Sequence, residues 1–213
     1  SSVRLTALKR PKYCPVHNRL MLNHMVNDPD LRLVVIFSYW NSYVESRDFD
    51  NRAGVLVRDL LVAVPLDEPD DMPDAQRIVA LTELMRADLR LLVAAGKQVV
   101  LVLPIPEPGF NLPDRLARDL WMGVDPARHS SIPEAAFADY AAAAQYMLES
   151  ASMGLPGVTV YDPAPLFCTK GADCKLVRDG KPLYFDKNHL SLEGSALVAP
   201  PLATIVLELI SSN

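Results

Sequence analysis

Residues 74–109 read DAQRIVALTELMRADLRLLVAAGKQVVLVLPIPEPG, and this stretch decides the fold. Ile78, Leu81, Met85, Leu89, Leu92 and Val93 keep roughly one face of a helix over Asp74–Ala95. Asp74 stands where an N-cap would, and Gly96 where a left-handed closing residue would. Gln98–Leu103 (QVVLVL) follows as an apolar run without polar alternation, the pattern of a strand buried on both faces. Pro104-Ile-Pro-Glu-Pro-Gly109 cannot extend that strand, because proline has no N–H for a ladder. A loop therefore leaves the strand at its C-terminal end.

The same alternation extends in both directions. Asn18–Asn27 reads as a helix, Asp28-Pro29-Asp30 as a turn, and Leu31–Phe37 (LRLVVIF) as a buried strand that runs into Ser38–Tyr43. Arg47–Asp74 is polar and proline-rich, and reads as an irregular excursion. Pro133–Met153 is an alanine-rich helix, Gly157–Tyr161 a third strand, and Ser191–Ile210 a helix interrupted at Pro200-Pro201. Helices alternating with buried strands predict an α/β fold, a three-layer α/β/α arrangement around a parallel sheet, in one domain over residues 1–213. Ligands of such sheets bind beyond the C-terminal strand ends. Those ends are Ser38–Tyr43, Pro104–Asn111 and Asp162 onward, which are expected to meet Tyr184–Ser191.

Composition narrows the function classes. The 213 residues are 50% hydrophobic and 22% charged, which excludes disorder as the main state. A net charge of −5 without any Lys/Arg run argues against a nucleic-acid partner. A local basic groove from Arg47, Arg52 and Arg58 stays open. The first glycine is Gly54, and no dinucleotide, phosphate-loop or nucleophile-elbow glycine motif occurs anywhere. No cofactor is expected. No apolar run reaches about 18 residues, so no membrane span is expected, and the start lacks the apolar region of a leader.

Three cysteines are present: Cys14, Cys168 and Cys174. The spacing of Cys168 and Cys174 allows either a tight disulfide or two reduced thiols in a loop. No metal is expected, since a zinc site needs more Cys or His than His189 nearby.

The chemistry-bearing block is Tyr184-Phe-Asp186-Lys-Asn-His189-Leu-Ser191-Leu-Glu-Gly194. A carboxylate three residues before an imidazole, in a loop entering a helix, can accept one ring N–H and leave the other nitrogen as a base. The alternative is a turn in which Asp186 caps, His189 packs and Ser191 is an N-cap. His17 and His24 lie on or beside the first helix and read as surface or packing residues. His129 stands in a polar loop whose only acidic neighbour in sequence is Asp125.

Tyr-x-Asp-x-x-His-Leu-Ser-x-x-Gly resembles the C-terminal block of SGNH hydrolases, and more closely that of the SGNH domain fused behind the membrane domain of acyltransferase-3 proteins. Four further segments are similar to that family: Cys14-Pro-Val-His-Asn18 with the helix and strand after it, the W-x-x-Y of Trp40 and Tyr43, Val102–Gly109 with its Pro-x-Pro-Glu-x-Gly, and the pair Cys168 and Cys174. The likeness runs from Cys14 to Leu202. It implies a Ser-His-Asp acyl-transfer domain on the periplasmic side of the bacterial inner membrane. An upstream membrane acyltransferase domain would pass it an acyl group, usually acetyl, for a hydroxyl of a cell-envelope or exported glycan. Asp186 then matches the orienting carboxylate and His189 the general base. Trp40, Tyr43 and Glu107 become substrate-binding candidates, and a Cys168–Cys174 disulfide fits an oxidising compartment.

One departure is large. The family's nucleophile is the serine of a Gly-Asp-Ser motif, and this sequence has no Asp-Ser dipeptide. Either the nucleophile is lost, or the chain is a piece beginning after that block, which the unpaired Cys14 favours. The family's oxyanion asparagine motif is missing too, and Asn41 is the candidate donor. Two other readings stand beside this one. The first is a catalytically inactive glycan-binding domain whose Ser38–Tyr43 aromatics stack on sugar. The second is an unrelated cytosolic α/β protein.

Overall fold

The computed structural model describes residues 3–5, 13–52, 54, 56–57, 62–65 and 71–211. In chain order the elements are β1 (Val3–Leu5), α1 (Tyr13–Asn27), β2 (Leu33–Ile36), α2 (Trp40–Val44), β3 (Phe49–Asp50), β4 (Leu56–Val57), β5 (Ala63–Pro65), α3 (Asp74–Ala94), β6 (Gln98–Val102), α4 (Leu112–Trp121), β7 (Ser131–Pro133), α5 (Glu134–Ser152), β8 (Val158–Tyr161), β9 (Asp173–Lys175), β10 (Val177–Arg178), β11 (Lys181–Pro182) and α6 (Leu192–Ser211). The central sheet has the order β2-β6-β8, all parallel, with Val34 opposite Val99 and Val100 opposite Thr159. The remaining strands pair two by two and antiparallel.

β6 explains why its sequence has no alternation. Val99, Leu101 and Leu103 point into a cluster with Leu81, Leu89 and Leu92 of α3 and Met147, Leu148 and Ala151 of α5. Val100 and Val102 point the other way, into a cluster with Leu112, Ile132, Tyr184 and Val198. Both faces of the strand are therefore dry, as a parallel sheet sandwiched between helices requires. Leu197, Val198, Leu202, Ile205, Val206 and Leu209 bring α6 onto this second face.

Several sequence expectations shift. α1 starts five residues earlier than read, at Tyr13. Ser38–Tyr43 contains the short helix α2 rather than only a loop. Asp74 is not the N-cap of α3; Pro73 is. Its carboxylate is instead occupied by the Ser46 hydroxyl and by Arg77 at 2.8 Å. The Ser46 hydrogen bond and Arg77 hold it below the usual carboxylate range, against the opposing effect of burial. Gly96 does close the helix, at φ +76.

α6 is continuous through Pro200 and Pro201, where an interruption was expected. Two prolines remove two ladder bonds, but the inward residues on either side of them stay packed on the sheet. α6 is also long and apolar enough to cross a membrane by length and composition, a property that the search for uninterrupted apolar runs does not register. In the fold its inner face forms a layer of the domain, while Leu192, Ala196, Ala199, Pro200, Ala203 and Leu207 face outward. Gly194 fits its first turn against the preceding segment so closely that a Cβ there would lie 2.1 Å from the Leu183 carbonyl oxygen.

Candidate active site

The loop between β11 and α6 is a narrow hairpin. Phe185 N–H donates to His189 O at 2.8 Å and Ser191 N–H to Leu183 O at 2.9 Å. Ser191 caps α6, its hydroxyl accepting from Gly194 N–H at 3.1 Å while donating to Pro182 O at 2.7 Å. At the tip, Asp186 Oδ1 accepts the N–H groups of Asn188 (2.9 Å) and His189 (2.8 Å). Its Oδ2 lies 2.8 Å from His189 Nδ1. A carboxylate only accepts, so Nδ1–H donates and the lone pair of Nε2 is left outward. One carboxylate oxygen thus closes the turn and the other holds the imidazole, and His189 does not pack as the turn alternative had it. Partial burial works to raise the Asp186 pKa, but the two backbone N–H bonds and the imidazole outweigh it and hold the group below its usual range.

His189 is 73% exposed in its side chain, and Nε2 has no hydrogen-bond partner among the described residues. The backbone beneath it is fixed. Tyr184, fully buried, donates its hydroxyl to Pro106 O. Burial, reinforced by the nearby Glu107 charge, pushes the Tyr184 phenol well above its usual pKa, so it remains a donor. Gly109 N–H reaches Lys187 O at 3.2 Å, and Leu112 N–H reaches Asp186 O at 3.5 Å.

The segments that follow β2 and β6 meet beside this hairpin. Asn41, at the start of α2, donates Nδ2 to Glu107 Oε1 at 3.1 Å. Asn51 Nδ2 donates to Pro108 O at 2.8 Å. Both Asn41 and Glu107 are buried, so neither forms an open donor or a free anionic surface. Asn41 Oδ1 and the Ser42 hydroxyl are buried without a hydrogen-bond partner among the described residues. Trp40 is also buried, its indole N–H donating to Val102 O at 2.9 Å. That position supports the strand end and presents no open ring face. Tyr43 is half-buried and lines an apolar groove of about 510 Å³ with Met21, Met25, Phe37 and Met85.

The basic groove raised by sequence does not form around Arg47, which is paired with Glu45 at 2.6 Å and Asp139 at 3.1 Å. Arg58 lies outside the described residues. Cys168 and Cys174 are joined in a disulfide across an antiparallel bridge. Cys14 lies in the first turn of α1, and its side chain lies outside what is described.

The sequence model of the family described as "SGNH domain (fused to AT3 domains)" matches residues 2–204. The chain belongs to this family. A solved structure, the periplasmic domain of a lipopolysaccharide acetyltransferase from Salmonella ser. Paratyphi A, is similar to it with 12% identity and a TM-score of 0.42, over 91% of this chain and 97% of that one. No curated protein sequence matches it.

This SGNH domain also holds a second Asp–His pair that sequence reasoning missed. His129 Nδ1 lies 2.6 Å from Asp119 Oδ2, and Arg115 Nη2 lies 2.8 Å from His129 Nε2. The guanidinium only donates and the carboxylate only accepts, so both ring nitrogens are committed. Asp125, the sequence neighbour, instead caps a short 3-10 turn by accepting from Ala127 N–H at 2.9 Å. The missing link was α4. Asn111-Leu-Pro-Asp114 is a helix-start signal, with Asn111 as N-cap and a proline inside the first turn. Reading it would have placed Arg115 and Asp119 on one face. No group of three or more His, Cys, Asp or Glu residues suited to a metal occurs among the described residues.

Proposed function

We propose that this SGNH domain performs O-acyl transfer, usually of acetyl, to a hydroxyl of a cell-envelope or exported glycan on the periplasmic side of the inner membrane, with a membrane AT3 domain as its acyl source. The observation that carries the proposal is the Asp186–His189 pair, with Nδ1 held and Nε2 open at the C-terminal ends of the parallel sheet. In this reading Nε2 takes the proton of a serine hydroxyl as its oxygen bonds the acyl carbon. The donor's bond to the acyl group breaks, and its leaving group takes that proton. The glycan hydroxyl then gives its proton to Nε2, attacks the acyl carbon, and the serine oxygen leaves with the proton. Asp186 does not change protonation state; it holds the ring and stabilises the imidazolium. The serine is read as supplied by the family's Gly-Asp-Ser block, which this sequence does not contain.

The disulfide supports an oxidising compartment. Asn41, locked to Glu107, is read as shaping the strand end beside the oxyanion position rather than as an exposed donor.

Asp186→Asn in the full-length protein tests the proposal. Asparagine keeps an oxygen for the two turn N–H groups, so the loop stays formed, but its amide favours the wrong imidazole tautomer. Transfer of radiolabelled acetyl is expected to fall by up to about 10⁴-fold. An unchanged rate would contradict the dyad, and would leave this domain a glycan-binding role with catalysis elsewhere in the full-length protein.

A further inference from the structure

We propose that the outward face of α4 is a binding platform for an acidic saccharide, the class of acceptor that the dyad beside it would acylate; this rests on the acyl-transfer reading above. The face forms a shallow cleft of about 620 Å³ lined by Phe110, Asn111, Asp114, Arg115, Arg118 and Trp121. Trp121 is 86% exposed, leaving an indole face uncovered. A flat apolar ring in a polar setting suits the apolar face of a sugar ring. The Arg118 side chain is exposed, and its guanidinium has no ion pair or hydrogen bond among the described residues. Arg115 is held in place from behind by His129 and by Asp119 at 3.7 Å, both of them buried. The buried Asp–His pair therefore acts as a brace. It fixes a guanidinium at the cleft before any ligand arrives, which lowers the ordering cost of binding an anion.

Two arginines beside an indole call for a ligand that carries a carboxylate or phosphate on a sugar. Asp114 is the acidic side chain of the lining. It lies in the first turn of α4, so the anion's place is at the Arg115–Arg118 end. The cleft begins next to the dyad hairpin: Asn111 lines it, and the N–H of the next residue, Leu112, meets Asp186 O. Ten helical residues rise about 15 Å, a span for a short oligosaccharide with one end at Trp121 and the other near His189.

The probes are the galacturonic acid trimer and maltotriose, titrated calorimetrically into the full chain at low and high salt. The acidic trimer is expected to bind about tenfold more tightly than maltotriose. Trp121→Ala and Arg118→Gln, both at exposed positions, are each expected to weaken it about tenfold without changing the melting temperature. His189→Ala should leave this binding intact. Absence of binding by the acidic trimer, equal binding of maltotriose, or insensitivity to Trp121→Ala and Arg118→Gln overturns the platform. Those results leave the acyl-transfer reading standing if His189→Ala still abolishes transfer by the full-length protein. Binding at α4 together with undiminished transfer by His189→Ala would instead overturn the acyl-transfer reading alone.

Discussion

Two hydrogen-bonded Asp–His pairs stand in opposite settings among the described residues. Asp186 and His189 sit at the tip of a hairpin, with one ring nitrogen bonded and the other open to solvent. Asp119 and His129 are buried under α4, and both ring nitrogens of His129 are taken. The same two side chains at similar distances thus do different work. An imidazole that must move protons needs an unoccupied nitrogen, whereas one bonded on both sides can only join elements together. What separates them is the third partner, Arg115, and the burial of the pair.

Replacing each carboxylate separates the two pairs in stability. Asp119→Ala leaves a buried imidazole and a guanidinium without their acceptor, and is expected to cost about 3 kcal/mol in urea unfolding. Asp186→Asn, at the exposed tip, should cost far less in the same assay. Equal costs would break the distinction. Gly194→Ala tests the seat of the exposed pair, because its methyl would meet Leu183 O and push α6 off the hairpin. A loss of about 2 kcal/mol is expected, with the imidazole resonances of His189 shifted more than those of His129. Reducing the disulfide opens a loop of six-residue separation. It should lower stability by about 2 kcal/mol on the chain-entropy estimate. The disulfide lies beside β9, which pairs with β7 directly after His129, so the buried pair should feel it first in hydrogen exchange.

The smallest effect is in acid. The Asp186 pKa is depressed in the folded state. Its contribution is complete above the ordinary carboxylate range and is lost as pH falls through the depressed value. The acid limb of the unfolding curve should therefore become shallower in Asp186→Asn. An identical limb would mean that the three hydrogen bonds to Asp186 contribute nothing.

Much of the fold was legible because the strands of a parallel sheet announce themselves. β2, β6 and β8 fall within the three apolar runs read from sequence, and α3 and α5 match their predicted spans to within a residue. The dyad was legible because both partners lie in one short motif. The buried pair was not, since Asp119 and His129 are ten residues apart and meet only when α4 and the 3-10 turn fold together. Trp40 and Glu107 were read as substrate-binding candidates through the resemblance. Their burial depends on how α2 and the Pro106 loop close over the strand ends, which no local pattern encodes. The prolines of α6 misled for a related reason. Local propensity breaks a helix there, but packing on both sides of the pair holds it together.

The most direct test of the central claim is acetyl transfer by the full-length protein carrying His189→Ala, measured beside its melting temperature. The account predicts transfer abolished with the melting temperature nearly unchanged, because the imidazole is exposed and supports no other element. Transfer persisting at the wild-type rate in a folded His189→Ala protein would contradict it.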